Sequence, residues 1–478
     1  MIASLRRSWI LSGMFGRYVA RRVLSIGPLR SVGARILLLL ALLTFTGGGA
    51  VIAYQFLRPA GGDLSMWAYV HDVSTISIAM LTTGAFLGLR LILSSAESFL
   101  ALTYQLPVTH HERRAAMMGF EILSLAALIT LLMAGMTSAT LMVLGWSGVW
   151  LATTPFLTAL TCYLLLSVLH NLGDRLLSRI GIVRTRQTIL LLLIFAGLLL
   201  FSSQVPELIA SISYVDAEQR ALLWVNLLPW LVSTFGPAPL LTAVLLLPAL
   251  WLLALVTAPV APPANTRFVN VALPWRPRGA WGLHLAYSLR NGQLWLGVAL
   301  CLALFIYLIA SEALNPLWSA VLLVVPGMYH YGNTRGARVS SPEGSAPAIW
   351  LRIVSSEFAV LGSALLVLTA VTALLNPALL SGAWTPILGV LGAALFSVLV
   401  GCAFPAENDN PFSVLAGVLV VCLCLGFVGI VTGLLRLPGI VTIPLLVVLH
   451  LVAAAASILS IHINESRTRY KTVPANTR

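Results

Sequence analysis

The polar stretch Leu100–Arg114 carries side chains that could do chemistry. Two histidines and a glutamate, His110, His111 and Glu112, are residue types that bind zinc. Their spacing argues against a zinc site, because adjacent residues of a helix diverge and a helical site needs histidines at i and i+4. Thr109 with Glu112 three positions later is instead the pattern of a capping box. The stretch therefore predicts a helix that begins directly after Thr109.

The chain lacks the residues of a Walker-type phosphate-binding loop. Lys471 is its one lysine, and Tyr470 rather than glycine precedes it. Because that loop needs a lysine directly after a glycine, the sequence excludes such a nucleotide site in this chain. The five cysteines lie in apolar runs without CxxC spacing, which predicts apolar packing rather than a metal site. We expect no cofactor or metal bound by the chain itself.

The composition is that of a membrane protein. Hydrophobic residues make up 59% of the 478 and charged residues 9%, whereas soluble domains carry about 25% charged residues. The net charge of +13 comes from arginines in short loops between apolar runs. This pattern indicates cytoplasmic loops beside anionic lipids rather than a nucleic-acid surface. We expect membrane lipids as partners and no nucleic acid.

Twelve apolar runs come close to the roughly 20 residues that a membrane-spanning helix needs. They are 35–57, 73–95, 115–145, 149–172, 188–210, 231–257, 293–311, 316–331, 353–375, 384–404, 412–434 and 438–462. The fold class predicted is an all-α polytopic membrane protein with about twelve transmembrane helices. A weak internal repeat predicts that they form two parallel six-helix halves.

The predicted halves are residues 1–262, with an amphipathic interfacial helix near the N-terminus, and residues 293–478. Residues 263–292 form a cytoplasmic linker with a second interfacial helix. With the N-terminus inside, 25 of the 28 basic residues are cytoplasmic. The three that fall outside are Arg58, Arg220 and Arg436. This asymmetry predicts a multi-pass protein with two cytoplasmic termini. The localisation that we expect is the bacterial cytoplasmic membrane.

Each half has a polar cytoplasmic insert between its second and third spans, followed by a glutamate just inside the third span. The glutamates are Glu121 and Glu357. Both sit where a rigid insert would join a membrane helix. We hypothesise that they steady this junction through ion pairs with Arg113, Arg114 or Arg352.

The segment Leu106-Pro107-Val108-Thr109, with Glu112 and Arg113 after it and Ser95-Ala96-Glu97 before it, resembles the cytoplasmic insert of ABC-2-type exporter permeases. In that family the insert is a coupling helix that docks on a separate ATPase subunit. The resemblance implies a transport subunit without enzymatic activity, paired with an ABC ATPase in two copies that binds ATP and Mg²⁺. The substrate expected is hydrophobic or amphipathic (a drug, peptide or lipid), moved outward.

The resemblance also implies which residues couple the chain to the ATPase. In the first insert they are Glu97, Leu106, Pro107, Val108, Thr109, Glu112, Arg113 and Arg114. In the second they are Arg338, Pro342, Glu343, Trp350 and Arg352, although that insert keeps a proline without the Leu-Pro-Val-Thr core.

Two other classes remain open. A proton-coupled major-facilitator transporter would share the layout, but residues 84–97 do not supply its G-x-x-x-D-x-x-G-R-[KR] element, and few charges lie clearly at mid-membrane. A membrane-embedded transferase would place paired acids in outer loops. The acids available for that are Asp63, Asp72, Asp216 and Glu218.

Overall fold

The structure is a computed structural model. It describes residues 2–25, 31–61, 64–93, 108–182, 185–214, 235–258, 279–340, 344–405 and 438–472, with isolated positions at 228, 231–232, 269 and between 414 and 426. Within these ranges the chain is helical and contains no β-strand.

The chain packs as two compact units. The first comprises Met1–Ala20, Leu39–Ser94 and Leu100–Ala264, and the second comprises Arg21–Leu38, Ser95–Phe99 and Asn265–Arg478. The helices that begin before residue 264 are α1 Ile2–Ser25, α2 Val32–Leu57, α3 Leu64–Leu93, α4 His110–Leu144, α5 Gly148–Arg179, α6 Arg186–Tyr214 and α7 Ala238–Thr257.

The helices that follow belong to the second unit. They are α8 Gly279–Arg290, α9 Gly292–Ser311, a 3-10 helix Pro316–Val324, α10 Gly327–Asn333, α11 Arg335–Ser340, α12 Ala346–Leu375, α13 Trp384–Ala403 and α14 Gly439–Thr472. Short 3-10 turns also occur at Arg58–Ala60, Gly145–Ser147 and Pro377–Leu380. The predicted linker 263–292 is described mainly from residue 279 onward, where it forms α8 and the start of α9.

Ten helices in the described part of the chain are long and apolar enough to cross a membrane. They are Leu38–Leu57, Tyr69–Arg90, His110–Leu144, Gly148–Arg179, Arg186–Ala210, Ala238–Thr257, Gly292–Ser311, Ala346–Leu375, Trp384–Ala403 and Val441–Ser466. The chain is therefore an all-α polytopic membrane protein, as its composition predicts.

Two of the twelve predicted spans are not among these ten. Most of the predicted span 412–434 lies outside the described residues. The predicted span 316–331 does not form one helix, because the 3-10 helix Pro316–Val324 gives way to α10 at Pro326. At about 2.0 Å per residue for a 3-10 helix and 1.5 Å for an α-helix, the two pieces still extend about 28 Å, close to the thickness of the hydrocarbon core.

The break before α10 follows from the local sequence. Pro326 has no N–H to donate, and its ring conflicts with the carbonyl group four residues earlier. The last carbonyl groups of a helix also lack a partner within it and need another donor in an apolar interior, and Val324 is the last residue of the 3-10 helix. Ser397 of α13 provides one, since its hydroxyl donates to the Val324 carbonyl oxygen at 2.6 Å.

Glycines let this broken segment lie directly against neighbouring helices. A Cβ atom at Gly401 of α13 would lie 2.7 Å from the Met328 carbonyl oxygen, and one at Gly297 of α9 would lie 3.0 Å from the Leu322 carbonyl oxygen. Such approach of two backbones is possible only where a side chain is missing. The segment is therefore tightly packed against both α9 and α13.

The first unit uses the same device. A Cβ atom at Gly135 of α4 would lie 2.7 Å from the backbone carbon of Gly49 in α2. The backbones of α2 and α4 are therefore in close contact at Gly49 and Gly135. A buried core of Phe86, Leu125 and Tyr163 lies where α3, α4 and α5 meet.

Candidate functional site

The start of α4 is held by the capping box that the sequence predicts. The Glu112 backbone N–H donates to Thr109 Oγ1 at 3.3 Å, and the Thr109 backbone N–H donates to Glu112 Oε2 at 3.0 Å. Glu112 is buried and also forms an ion pair with Arg7 of α1, at 3.0 Å. A cap of this kind stabilises a helix by about 1 kcal/mol. The predicted capping box is confirmed.

The arginines after the cap hold α4 from within the first unit. Arg113 is buried, with Nη1 at 3.3 Å from His110 Nδ1, and Arg114 donates to the Ala258 carbonyl oxygen at 2.6 Å. Val108 is half-buried. The other predicted coupling residues of this insert, which lie outside the described residues, are Glu97, Leu106 and Pro107. Solvent-exposed side chains in this stretch include Thr109, His110 and His111.

The second insert is described in part. Arg338 of α11 is buried and forms an ion pair with Glu465 of α14, Nε to Oε1, at 3.1 Å. It also donates to the Tyr331 carbonyl oxygen at 2.7 Å and lies 4.0 Å above the Tyr331 ring. Arg338 therefore contributes to packing inside the second unit. Trp350 and Arg352 are half-buried on α12, whereas Pro342 and Glu343 lie outside the described residues.

Glu121 and Glu357 occupy the same position in two long helices. Thr109 is the N-cap of α4 and Ser345 that of α12, and each glutamate is the twelfth residue of its helix. Both side chains are buried, since the residues are 4% and 3% exposed. A buried ionisable group within a membrane protein needs a partner and marks a candidate functional site.

Glu121 is held by a phenol and a guanidinium. Tyr163 of α5 donates its hydroxyl to Glu121 Oε2 at 2.5 Å, and Arg90 of α3 lies 3.4 Å from the same oxygen. The Arg90 guanidinium also lies 5.1 Å from the centre of the Phe86 ring. The carboxylate thus has a permanently charged counter-ion, and the cluster joins three neighbouring helices.

Glu357 lies at the end of a chain of polar side chains. His330 Nδ1 is 2.5 Å from Glu357 Oε1, and His330 Nε2 is 2.8 Å from His284 Nδ1. Ser288 donates to Glu357 Oε1 at 3.2 Å. None of the four residues is more than 3% exposed. We call His284, His330 and Glu357 the Glu–His–His chain; it joins α8, α10 and α12.

The partners of both glutamates differ from those that the sequence suggested. The hypothesis of ion pairs with Arg113, Arg114 or Arg352 named residues near the inserts, whereas the closest polar contacts come from other helices. The Glu–His–His chain is linear, and no group of three His, Cys, Asp or Glu residues in the described part of the molecule could hold a metal ion. Its geometry suits the movement or storage of a proton.

The sequence did not lead us to the two histidines of the Glu–His–His chain. His330 lies inside the predicted span 316–331, so a titratable residue within an apolar run was a usable signal. His284 had no such signal, since it lies in an interfacial segment 46 residues away. His450, another histidine within an apolar run, is hydrogen-bonded at 2.7 Å to the Leu446 carbonyl oxygen and packs against the Phe396 ring.

The first unit also contains an apolar cavity of about 450 Å³. It lies between α1, α4, α5 and α7. Volumes of this size are typical of sites for drug-sized molecules. The residues that line it include Trp9, Ile122, Leu123, Leu160, Val244 and Trp251.

Among the outer-loop acids that a transferase would need, Asp72 is described. It lies within α3 and is 2% exposed, so it does not face an outer loop. The other three acids, outside the described residues, are Asp63, Asp216 and Glu218.

Comparisons with protein-family models, with curated proteins and with solved structures find no match for this chain. The fold and the candidate site define the class of this protein: it is a polytopic helical membrane protein with buried polar clusters.

Proposed function

We propose that this chain is the transmembrane permease subunit of an ATP-driven exporter of the ABC-2 type. It moves a hydrophobic or amphipathic substrate outward, and a separate ABC ATPase, present in two copies, binds ATP and Mg²⁺. The chain has no enzymatic activity of its own and contacts membrane lipids but no nucleic acid.

The observation that carries this proposal is the unbroken helix α4. Its 35 residues extend about 52 Å, whereas the hydrocarbon core is about 30 Å thick. About 20 Å therefore project beyond the core, and the distance from the cap to Glu121 is about 18 Å at 1.5 Å per residue. A helix capped at its start and clamped at Glu121 can transmit a push on its end as a rigid lever.

The proposed layout places twelve spans in two parallel six-helix halves. Both termini face the cytoplasm of a bacterial cell, and the inserts at 97–114 and 335–352 face the ATPase. The broken segment 316–333 supplies one of the two spans beyond the ten long helices, and residues 412–434 supply the other. The apolar cavity in the first unit supports a hydrophobic substrate class.

Affinity purification of the full chain from its native membrane tests the proposal. An ATP-hydrolysing subunit should co-purify, and a hydrophobic compound should stimulate its activity in proteoliposomes. Replacing Pro107 and Glu112 together (P107A/E112Q) should abolish export while leaving ATP hydrolysis and membrane insertion intact. Pro377→Ala, at the opposite end of α12 from the second insert, is the control and should leave export unchanged. Unaltered export by P107A/E112Q would refute the coupling role.

A second candidate function is a proton-coupled secondary transporter. The Glu–His–His chain favours it, because buried carboxylates and histidines form the proton relays of such proteins. The two functions differ in energy source. Substrate flux driven by a pH gradient in proteoliposomes without ATP would support the carrier, and a strict requirement for the ATPase would exclude it.

A further inference from the structure

The Glu–His–His chain is built into a closely packed part of the second unit. His330 is fully buried on α10, whose first residue, Gly327, would place a Cβ atom 2.7 Å from Ser397 Oγ of α13. The ring of His330 stacks on that of His284, with centres 5.1 Å apart, and packs against Tyr287 at 5.3 Å. The imidazole therefore has little freedom to turn away from its partners.

The hydrogen bonds of this chain can be satisfied with two different numbers of protons. With Glu357 ionised, His330 donates from Nδ1 to the carboxylate and accepts at Nε2 from His284 Nδ1. With one proton more, either Glu357 is protonated and donates to His330 Nδ1, or His330 carries both ring protons. In both of these forms His330 donates from Nε2 to His284 Nδ1. The extra proton thus reverses hydrogen bonds without breaking the chain.

The two forms differ in charge. With fewer protons the chain carries one net negative charge among residues that are at most 3% exposed, and with one more it is neutral overall. An unpaired buried charge is unfavourable in an apolar interior. The bound proton therefore favours the packed arrangement, and its loss favours movement of α10 that lets water reach Glu357.

Among the described residues, no arginine forms an ion pair with Glu357, whose polar contacts are with His330 and Ser288. The charged groups next along the chain are Arg335 and Arg338 of α11, and Arg338 is bound to Glu465 of α14. Tyr331 donates its hydroxyl to Glu465 as well. On α8 and α12, which carry His284 and Glu357, the neighbouring titratable groups are Tyr287, Arg290 and Arg352.

We propose that Glu357, His330 and His284 form a binding site for one exchangeable proton, whose release loosens α10 from α12. Such a site would make the conformation of the second unit respond to pH. The inference is independent of the proposed export function, because it concerns the isolated chain and needs no ATPase.

The first unit supplies the matched control. Glu121 has the same helical position and burial as Glu357, but its partners are Arg90 and Tyr163. Arginine keeps its charge at every pH that a protein withstands. The Glu121 cluster therefore has no net charge, and an added proton would leave it with a buried positive charge.

Proton binding is measured on the purified full chain in lipid nanodiscs. Infrared difference spectra between acid and alkaline pH report the carboxyl group, and nitrogen NMR of labelled histidine rings reports their protonation. We expect the wild type to release one proton more than Glu357→Gln and His330→Gln across this range, and Glu121→Gln to match the wild type. His284→Gln, which keeps the contact between Glu357 and His330, should still release the proton.

Two results would overturn the proposal. One is a carboxyl difference spectrum that is the same in the wild type and in Glu357→Gln over the whole range in which both stay folded. The other is a proton release that persists unaltered in Glu357→Gln. Both results are read from the wild type and Glu357→Gln, so poor folding of His330→Gln would leave them valid.

Discussion

Replacing Gly401 with alanine should push α10 away from α13. The added Cβ atom would lie 2.7 Å from the Met328 carbonyl oxygen and 2.9 Å from the Gly327 carbonyl oxygen, whereas ordinary contacts begin at 3.4 Å. Both oxygens belong to the backbone, so no rotation of a side chain can relieve the overlap. The helix must shift by about half an ångström, and His330 shifts with it.

The magnitude follows from two opposing effects. Overpacking a close contact costs about 1–3 kcal/mol, while alanine is more favourable than glycine in a helix interior by about 0.5–1 kcal/mol. We expect Gly401→Ala to lower the free energy of unfolding by about 1–2 kcal/mol. The matched control is Gly362→Ala in α12, where nothing lies within 4 Å of the new atom. It should raise that free energy, or leave it unchanged.

Unfolding in mixed micelles, followed by circular dichroism, measures both variants against the wild type. The proton release of Gly401→Ala gives a second readout, since a displaced His330 should lose its contact with Glu357. If Gly401→Ala proved as stable as Gly362→Ala, the close contact between α10 and α13 would be refuted. The account of how the Glu–His–His chain is held in place would then fail with it.

Three further predictions use the same unfolding measurement. Gly135→Ala should lower the free energy of unfolding by about 1–3 kcal/mol, because its Cβ atom would lie 2.7 Å from the backbone of α2. Gly197→Ala, with open space around the new atom, should not lower it. Equal stability of the two variants would contradict the close packing at Gly135. Thr109→Ala should cost about 1 kcal/mol through loss of the helix cap, and Thr109→Ser should restore most of it; a neutral alanine variant would argue against the cap. Tyr163→Phe removes the hydroxyl that binds Glu121. It should lower the free energy of unfolding by about 1–3 kcal/mol, because a buried acceptor loses its donor. Stability equal to the wild type would show that Arg90 alone satisfies the carboxylate.

The local features of this molecule were predictable from its sequence. Apolar runs of about 20 residues identify a polytopic helical protein, and Thr109 with Glu112 identifies the start of α4. The matched positions of Glu121 and Glu357 were visible as similar distances from polar inserts. Each of these signals depends on residues that are neighbours along the chain.

The partners of those glutamates were not predictable in the same way. Arg90 and Tyr163 lie 31 and 42 residues from Glu121, and only helix packing brings them together. The break at Pro326 shows an intermediate case. Pro326 and Gly327 indicate an interruption of the run 316–331, but the close contacts of this segment with α9 and α13 involve residues distant in sequence.

The ion pair between Arg338 and Glu465 has a practical consequence for anyone shortening this protein. Glu465 lies seven residues before the end of the long final helix, in a polar stretch that deletion mapping would treat as dispensable. A stop codon introduced after His462 would strand the Arg338 guanidinium in an apolar interior. The harm from such a truncation would then emerge more than a hundred residues upstream of the cut.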